Sequence, residues 1–305
     1  MGCDIMILST TTSIIDTKFG YEKAVEIIAK AGFDAVDLSL CSMRDSENVF
    51  NNDGYREYAD KLLKTAKDNG VYFNQAHAYF PTSFEDEERT ERAFQRVVRG
   101  IEIAGIIGAK SIVVHPNQHL HYIESGNDKI LKEMNLKFYK KLLPYCEKYN
   151  VKMATENMWQ TNKYNNVIVD STCSRGPEFA EYVDMIESPY MTACLDLGHC
   201  VLVGQNPAQM IRQLGHDRLL ALHVHDNNGR ADNHVEPRAP FVSTINWDEV
   251  CRALAEIDYQ GDFTFEAHET FKNVTEQTVD SAAKYLHDIG RQLISTIEHY
   301  KTDGV

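Results

Sequence analysis

Strand-length apolar runs alternate with helix-length amphipathic segments along the whole chain. That alternation restricts the fold more than any other feature. It is sharpest at Ala31-Gly32-Phe33-Asp34. Residues 20–31 show helical spacing at Ala24, Ile27/Ile28 and Ala31, Gly32 stops the helix, and 33–40 read as a strand. A helix-to-strand join this tight belongs to folds that alternate the two elements. The pattern repeats. Strands are expected over 5–8 (with 10–13 as a loop), 71–77, 111–116, 151–156, 191–196, 218–225 and 262–266. Helices are expected over 55–69, 86–107, 128–149 with Pro144 inside, 177–187, 207–214, 247–257 and 275–299.

Eight such units in 305 residues point to an α/β chain. A closed (β/α)₈ TIM barrel, which needs ~250 residues, fits that length. No linker or low-complexity segment interrupts the series, so a single domain over 1–305 is expected. An open, doubly wound sheet is the alternative. It normally carries a glycine-rich phosphate loop after its first strand. Here that position reads Ser9-Thr10-Thr11-Thr12-Ser13.

The net charge is −14, which repels phosphate backbones and argues against nucleic acid as a partner. Seven cysteines are scattered without a C-x-x-C pair, which suits a reduced, cytoplasmic protein. The first residues lack a basic segment followed by an apolar one, so no signal peptide is read. No apolar run reaches the ~18 residues that a membrane span needs.

In a closed barrel the C-terminal ends of the strands converge on one face. The polar residues at those ends are His77, His115, Glu156, Asp196 followed by His199, His223 with His225, and Glu266. The loop after the seventh strand adds Asp232 and His234. Any one of these, taken alone, reads as a solvated loop residue. As a set they do not, because several carboxylates crowded at a barrel mouth repel unless protonated or bound to a cation. A ring of carboxylate and imidazole suits a divalent metal ion, with Mn²⁺ or Zn²⁺ first, then Co²⁺ or Fe²⁺. The carboxylates also admit Mg²⁺, although the imidazoles argue against it. His223 and His225 face the same side of their strand, and both need not be ligands.

Asp16, Asp34 and Asp37 read as structural or surface groups, and His119 and His121 as exposed. His268 and Glu269 lie just past the last strand and are weaker candidates for substrate contact. The polar stretch 157–176 is long for a plain connection and is a candidate functional loop. Phe80, Trp159 and Tyr164 fall in rim loops, where they can shield the site or simply pack.

Four short motifs carry a family resemblance. They are Thr155-Glu156-Asn157, Leu195-Asp196-Leu197-Gly198-His199, His223-Val224-His225-Asp226 and Phe265-Glu266. In this order and at barrel spacing, the chain resembles the xylose isomerase-like barrel superfamily. That superfamily includes sugar-phosphate isomerases and epimerases, ketose 3-epimerases and the endonuclease IV family. The resemblance implies a metal held by Glu156, Asp196, His223 and Glu266. It also implies that Glu156 and Glu266 act as an acid/base pair on a keto sugar, sugar phosphate or related polyol, through an enediolate. His77, His115, His199 and His225 would contact substrate, with Arg230 as an approximate match to the family's loop arginine. A small-molecule sugar is then the expected partner, and a homo-oligomer is compatible.

The endonuclease IV branch offers a different activity, zinc-cluster phosphodiester hydrolysis. For it, His199, Asp232 and His234 would be additional metal ligands alongside His77, His115 and the four above. Dehydration of a cyclic polyol, or binding of metal and sugar without turnover, are further alternatives. One departure bears on the substrate. Where many relatives have a Pro-Gly-Glu-Gly turn before Ile-Asp-Trp, this chain has Pro237-Arg238-Ala239-Pro240-Phe241 and then Ile245-Asn246-Trp247.

Overall fold

Ten strands account for the extended segments of the computed structural model, which describes residues 6–303. They are β1 (Leu8–Thr11), β2 (Ala35–Ser39), β3 (Tyr72–His77), β4 (Ser111–Val114), β5 (Lys152–Glu156), β6 (Trp159–Thr161), β7 (Ile168–Asp170), β8 (Met191–Asp196), β9 (Leu219–His223) and β10 (Phe263–Phe265). Eight of them form one parallel sheet in the order β10-β1-β2-β3-β4-β5-β8-β9. A bridge between Val224 and Phe265 brings its two edges together, with the Glu266 N–H donating to the Val224 carbonyl at 3.1 Å. The result is the expected TIM barrel.

The helices are α1 (Ile15–Phe19), α2 (Tyr21–Ala31), α3 (Tyr55–Asp68), α4 (Glu87–Ile107), α5 (Asn127–Tyr149), α6 (Gly176–Asp184), α7 (Leu197–Leu202), α8 (Pro207–Arg218), α9 (Trp247–Glu256) and α10 (Val279–Asp303). Their boundaries follow local chemistry. α2 ends on Gly32 in the left-handed region, at φ 100°. The side chains of Asp86, Asn206 and Asn246 cap α4, α8 and α9 by accepting backbone N–H groups. Pro144 sits inside α5 without ending it. The large apolar core lies between helices and sheet, and a small inner cluster of Val113, Ala154, Cys194 and Ala221 fills part of the lumen.

The first strand differs from expectation. It was expected over 5–8 with a loop over 10–13, but β1 runs Leu8–Thr11, and residue 5 lies outside the described residues. The cause is a polar layer in the barrel. Asn74 Nδ2 donates to Ser9 Oγ at 3.0 Å, and Ser9 Oγ to Thr264 Oγ1 at 2.8 Å. Side chains that satisfy one another can fill a core position without being apolar. Two further elements were not anticipated. The stretch 157–176 contains the antiparallel hairpin β6–β7, and α7 begins directly after β8. Asp37 is fully buried on β2, and burial raises its carboxyl to about 6. Cys41, Cys146, Cys173, Cys194, Cys200 and Cys251 are unpaired, and Cys3 lies outside the described residues.

Asp16 in α1 offers a stability test away from the barrel mouth's ligands. It is 7% exposed, and only its Oδ2 has a hydrogen-bond partner, the Thr12 hydroxyl at 3.2 Å. Burial raises its carboxyl from 3.8 to about 7. The folded state therefore keeps a proton that the unfolded chain releases. Stability falls as pH rises from about 4 to 7. Asp16→Asn is expected to stabilise the protein at pH 8 by ~1–3 kcal/mol and to flatten that slope. Urea denaturation at pH 5 and pH 8 measures both. An unchanged pH slope would show that Asp16 does not titrate with folding.

Candidate metal centre

The barrel brings the strand-end residues together because parallel strands all finish at one rim. β5 ends in Glu156, β8 in Asp196 and β9 in His223, while Glu266 follows β10 directly. One donor atom from each lies within 4.8 Å of those from the other three. His223 Nδ1 is 3.1 Å from Glu266 Oε2, 3.2 Å from Glu156 Oε1 and 3.9 Å from Asp196 Oδ2. Asn157 holds Asp196 in place: its Oδ1 accepts the Asp196 N–H at 2.7 Å and its Nδ2 donates to the Asp196 carbonyl at 2.9 Å. Asp196 also caps α7 by accepting the His199 N–H at 2.7 Å. Asp226, next to His225, is an anchor: it accepts from Trp247 Nε1 at 2.7 Å and the Thr244 N–H at 2.9 Å.

The electrostatics of this group call for a cation. Burial alone would raise the Glu156 carboxyl, but His223 and His115 hold it well below the usual carboxylate range. Burial works against the His223 imidazolium, but Cys194, Glu266 and Glu156 outweigh it and keep its pKa well above ordinary. Glu266 is held down at about 2 against the effect of burial, chiefly by His223 and His234. Three carboxylates thus surround one fully buried imidazole, with Glu266 alone of the four partly open to the cavity. The donor set fits a divalent ion of the Mn²⁺ or Zn²⁺ kind.

A second group stands beside the first. Donor atoms of His199, His225, Asp232 and His234 also lie within 4.8 Å of one another. Asp232 Oδ2 is 3.1 Å from His234 Nε2, 3.3 Å from His199 Nε2, and accepts from Trp159 Nε1 at 3.3 Å. His225 Nε2 is 2.9 Å from Asp196 Oδ2, which links the two groups. Burial opposes the His234 imidazolium, yet Asp232 raises its pKa to about 9. On the other side His77 Nε2 and His115 Nε2 approach to 3.1 Å, and His115 Nε2 lies 2.9 Å from Glu156 Oε2.

His77, His115, Glu156, His199, Asp232, His234 and Glu266 border a cavity of about 510 Å³ at the barrel mouth. Asp196, His223 and His225 are fully buried and outside its lining, so His225, expected to contact substrate, packs on Asp196 instead. Residues 25–289 match the family model of the xylose isomerase-like TIM barrel. The chain belongs to that family. Among its relatives, D-psicose 3-epimerase of Enterocloster bolteae is 26% identical over 251 residues, covering 79% of this chain and 74% of that protein. The uncharacterized protein y4fM of Sinorhizobium fredii is 25% identical, covering 81% of each chain. The crystal structure of a D-tagatose 3-epimerase-like protein aligns with a TM-score of 0.74 at 21% identity, over 96% of this chain and 99% of that one. The IolI protein with a bound zinc atom aligns at 0.72 and 17% identity, over 94% and 99%. At those identities the two structures support the shared fold.

This xylose isomerase-like barrel does not bring every expected residue to the site. Arg230 is exposed and outside the cavity lining, because the Asn228 side chain accepts its backbone N–H at 2.9 Å and turns the loop outward. Tyr164, at 78% exposure on the β6–β7 hairpin, does not cover the cavity, whereas Phe80 and Trp159 line it. His119, expected to be exposed, is half-buried with its Nδ1 2.7 Å from Ser83 Oγ. His268 lines the cavity and stacks on His234 at 4.3 Å. Cys41 and Arg44, in the turn after β2, also line it. Neither is a barrel-mouth ligand type at a strand end, but their position just beyond the strand 33–40 was the available signal.

Gly198 is required by close approach. A Cβ there would sit 2.0 Å from His225 Cε1. Gly198→Ala is expected to displace His225 and, through its contact with Asp196, to weaken metal affinity by ~10–100-fold. A metal titration of the variant reads this directly. Wild-type affinity would show that His225 can move without consequence.

Proposed function

We propose that the protein is a divalent-metal-dependent isomerase or epimerase acting on a keto sugar, a sugar phosphate or a related polyol. The observation that carries this reading is the convergence of Glu156, Asp196, His223 and Glu266 beside a cavity of sugar size. These four side chains would hold the ion, with Mn²⁺ or Zn²⁺ preferred. When bound, the ion would polarise the substrate carbonyl and stabilise the charge that develops on its oxygen. Glu156 and Glu266 come from β5 and the end of β10, with β8 and β9 between them, so they reach the centre from different directions. One takes the proton from the carbon next to the carbonyl and the other returns one. His77, His115 and His199 supply polar contacts to hydroxyl groups, and His225 orients Asp196. The D-psicose 3-epimerase relative supports the substrate class.

Among the described residues no helix is long and apolar enough to cross a membrane. The six cysteines among the described residues are unpaired, which agrees with a reduced setting. The test of the activity is proton exchange. With a ketohexose and its phosphate in D₂O, deuterium is expected next to the carbonyl, detected by NMR. Metal-loaded protein that exchanges no proton with any of a panel of keto sugars would refute the reading.

A second reading, multi-metal phosphodiester hydrolysis, is favoured by one observation. Besides the four ligands, His77 and His115 crowd Glu156, and His199, Asp232 and His234 form a group of their own. Nicking of DNA at abasic sites would establish it. The charge distribution favours the first reading, because the second group carries one carboxylate among three imidazoles.

A further inference from the structure

Arg44 is the one Lys or Arg among the described residues lining the cavity. It ends the 3₁₀ turn Cys41–Arg44 that follows β2. Its Nε donates to the Phe80 carbonyl at 2.8 Å, and its guanidinium carbon lies 3.7 Å over the Phe80 ring. Phe80 in turn stacks on His115 at 4.4 Å. The side chain is thus fixed in direction although it is exposed. Its two terminal NH₂ groups have no hydrogen-bond or ion-pair partner among the described residues. In a chain of net charge −14, an unneutralised guanidinium beside a cavity rich in carboxylates stands out.

Arg44 also borders a second cleft, lined by Arg89, Arg92 and Arg96 together with Tyr79 and Phe84. The three arginines are spaced i, i+3 and i+7 on α4, so they share one face. Arg89 lies 3.9 Å over Phe84 and Arg96 4.8 Å over Tyr79, and neither makes an ion pair among the described residues. Arg92 reaches Glu88 at 3.5 Å. Glu91 is occupied by Lys141 at 3.0 Å. Guanidinium groups held over aromatic rings can keep N–H groups free, and those match the oxygens of a phosphate or carboxylate.

We propose that the substrate carries an anionic group, phosphate or carboxylate, at the end remote from its carbonyl, and that Arg44 binds it at the boundary of the cavity and the arginine-lined cleft. The assignment of the carbonyl end rests on the keto-sugar reading above. The anion site itself does not. It makes Arg44 a specificity-determining residue and narrows the substrate to charged keto sugars.

The test compares a ketohexose, its 6-phosphate and a keto sugar acid as substrates for the metal-loaded enzyme. One of the two charged compounds is expected to exceed the neutral one in kcat/KM by at least tenfold, and which one does identifies the anion. Arg44→Ala is expected to reduce that preference at least tenfold through KM, and Arg44→Lys to restore part of it. Equal kcat/KM for all three compounds, or a preference that survives in Arg44→Ala, overturns the proposal and leaves the isomerase reading standing. Calorimetry with glucitol 6-phosphate and glucitol, which have no carbonyl, tests the site independently of turnover. Tighter binding of the phosphate that is lost in Arg44→Ala supports the anion site even if no keto sugar exchanges a proton. Equal binding of the phosphate by wild type and Arg44→Ala overturns it. Metal content measured on each variant confirms that the barrel is intact.

Discussion

Glu156→Gln is expected to leave a folded barrel that has lost its metal and at least ~10³ of its turnover. The expectation rests on two separate contributions of one side chain. As a ligand, Glu156 places Oε1 3.2 Å from His223 Nδ1, within the four-donor group. As a proton carrier it supplies part of an acid/base pair, a role worth ~10²–10⁴. An amide keeps the shape and removes the charge, so it removes both contributions with little change in packing. Elemental analysis and deuterium exchange read them separately. Glu266→Gln provides the contrast. Its carboxylate is 12% exposed at the cavity, whereas that of Glu156 is 1% exposed. That variant is expected to retain more metal and still lose deuterium exchange. Full metal content together with exchange within tenfold of wild type in Glu156→Gln would remove Glu156 from both roles.

The strand ends were legible in the sequence because a parallel barrel turns chain order into spatial convergence. A carboxylate or imidazole that ends an apolar run must arrive at the same rim as the others. That rule brought Glu156, Asp196, His223 and Glu266 to one rim together with His77, His115 and His225, and the family resemblance singled out the four as ligands. Loops obey no such rule. Arg230 stands two residues before Asp232, yet a turn closed by Asn228 sends it outward, while Asp232 faces the cavity. Hydropathy also misplaced β1, because Ser9 is satisfied by Asn74 and Thr264, residues 65 and 255 positions away. The place of Arg44 at the cavity was signalled only by its position just beyond the strand 33–40, for a related reason. Its direction is set by Phe80, which belongs to a different loop.

Elemental analysis of the metal-loaded protein is expected to return one divalent ion per chain, and Asp232→Asn is expected to preserve that count while weakening substrate binding. The argument is a comparison of charge. The first group sets three carboxylates against one imidazole, a deficit of positive charge that a divalent ion removes. The second sets Asp232 against His199, His225 and His234. Its Oδ2 is already occupied, with His234 Nε2 at 3.1 Å, His199 Nε2 at 3.3 Å and Trp159 Nε1 at 3.3 Å, while its buried Oδ1 has no hydrogen-bond partner among the described residues. A second ion would have to displace those donors and the protons they carry, with only one negative charge to hold it. The neutral amide introduced by Asp232→Asn keeps an acceptor for Trp159 but loses the charge-assisted bonds, so KM is expected to rise by ~10-fold or more. A count of two or three ions in the wild type, falling by one in Asp232→Asn, would show that His199, Asp232 and His234 are ligands. The donor groups around Glu156 would then form one polynuclear centre, and hydrolysis of a phosphodiester would replace proton transfer as the reaction the barrel is built for.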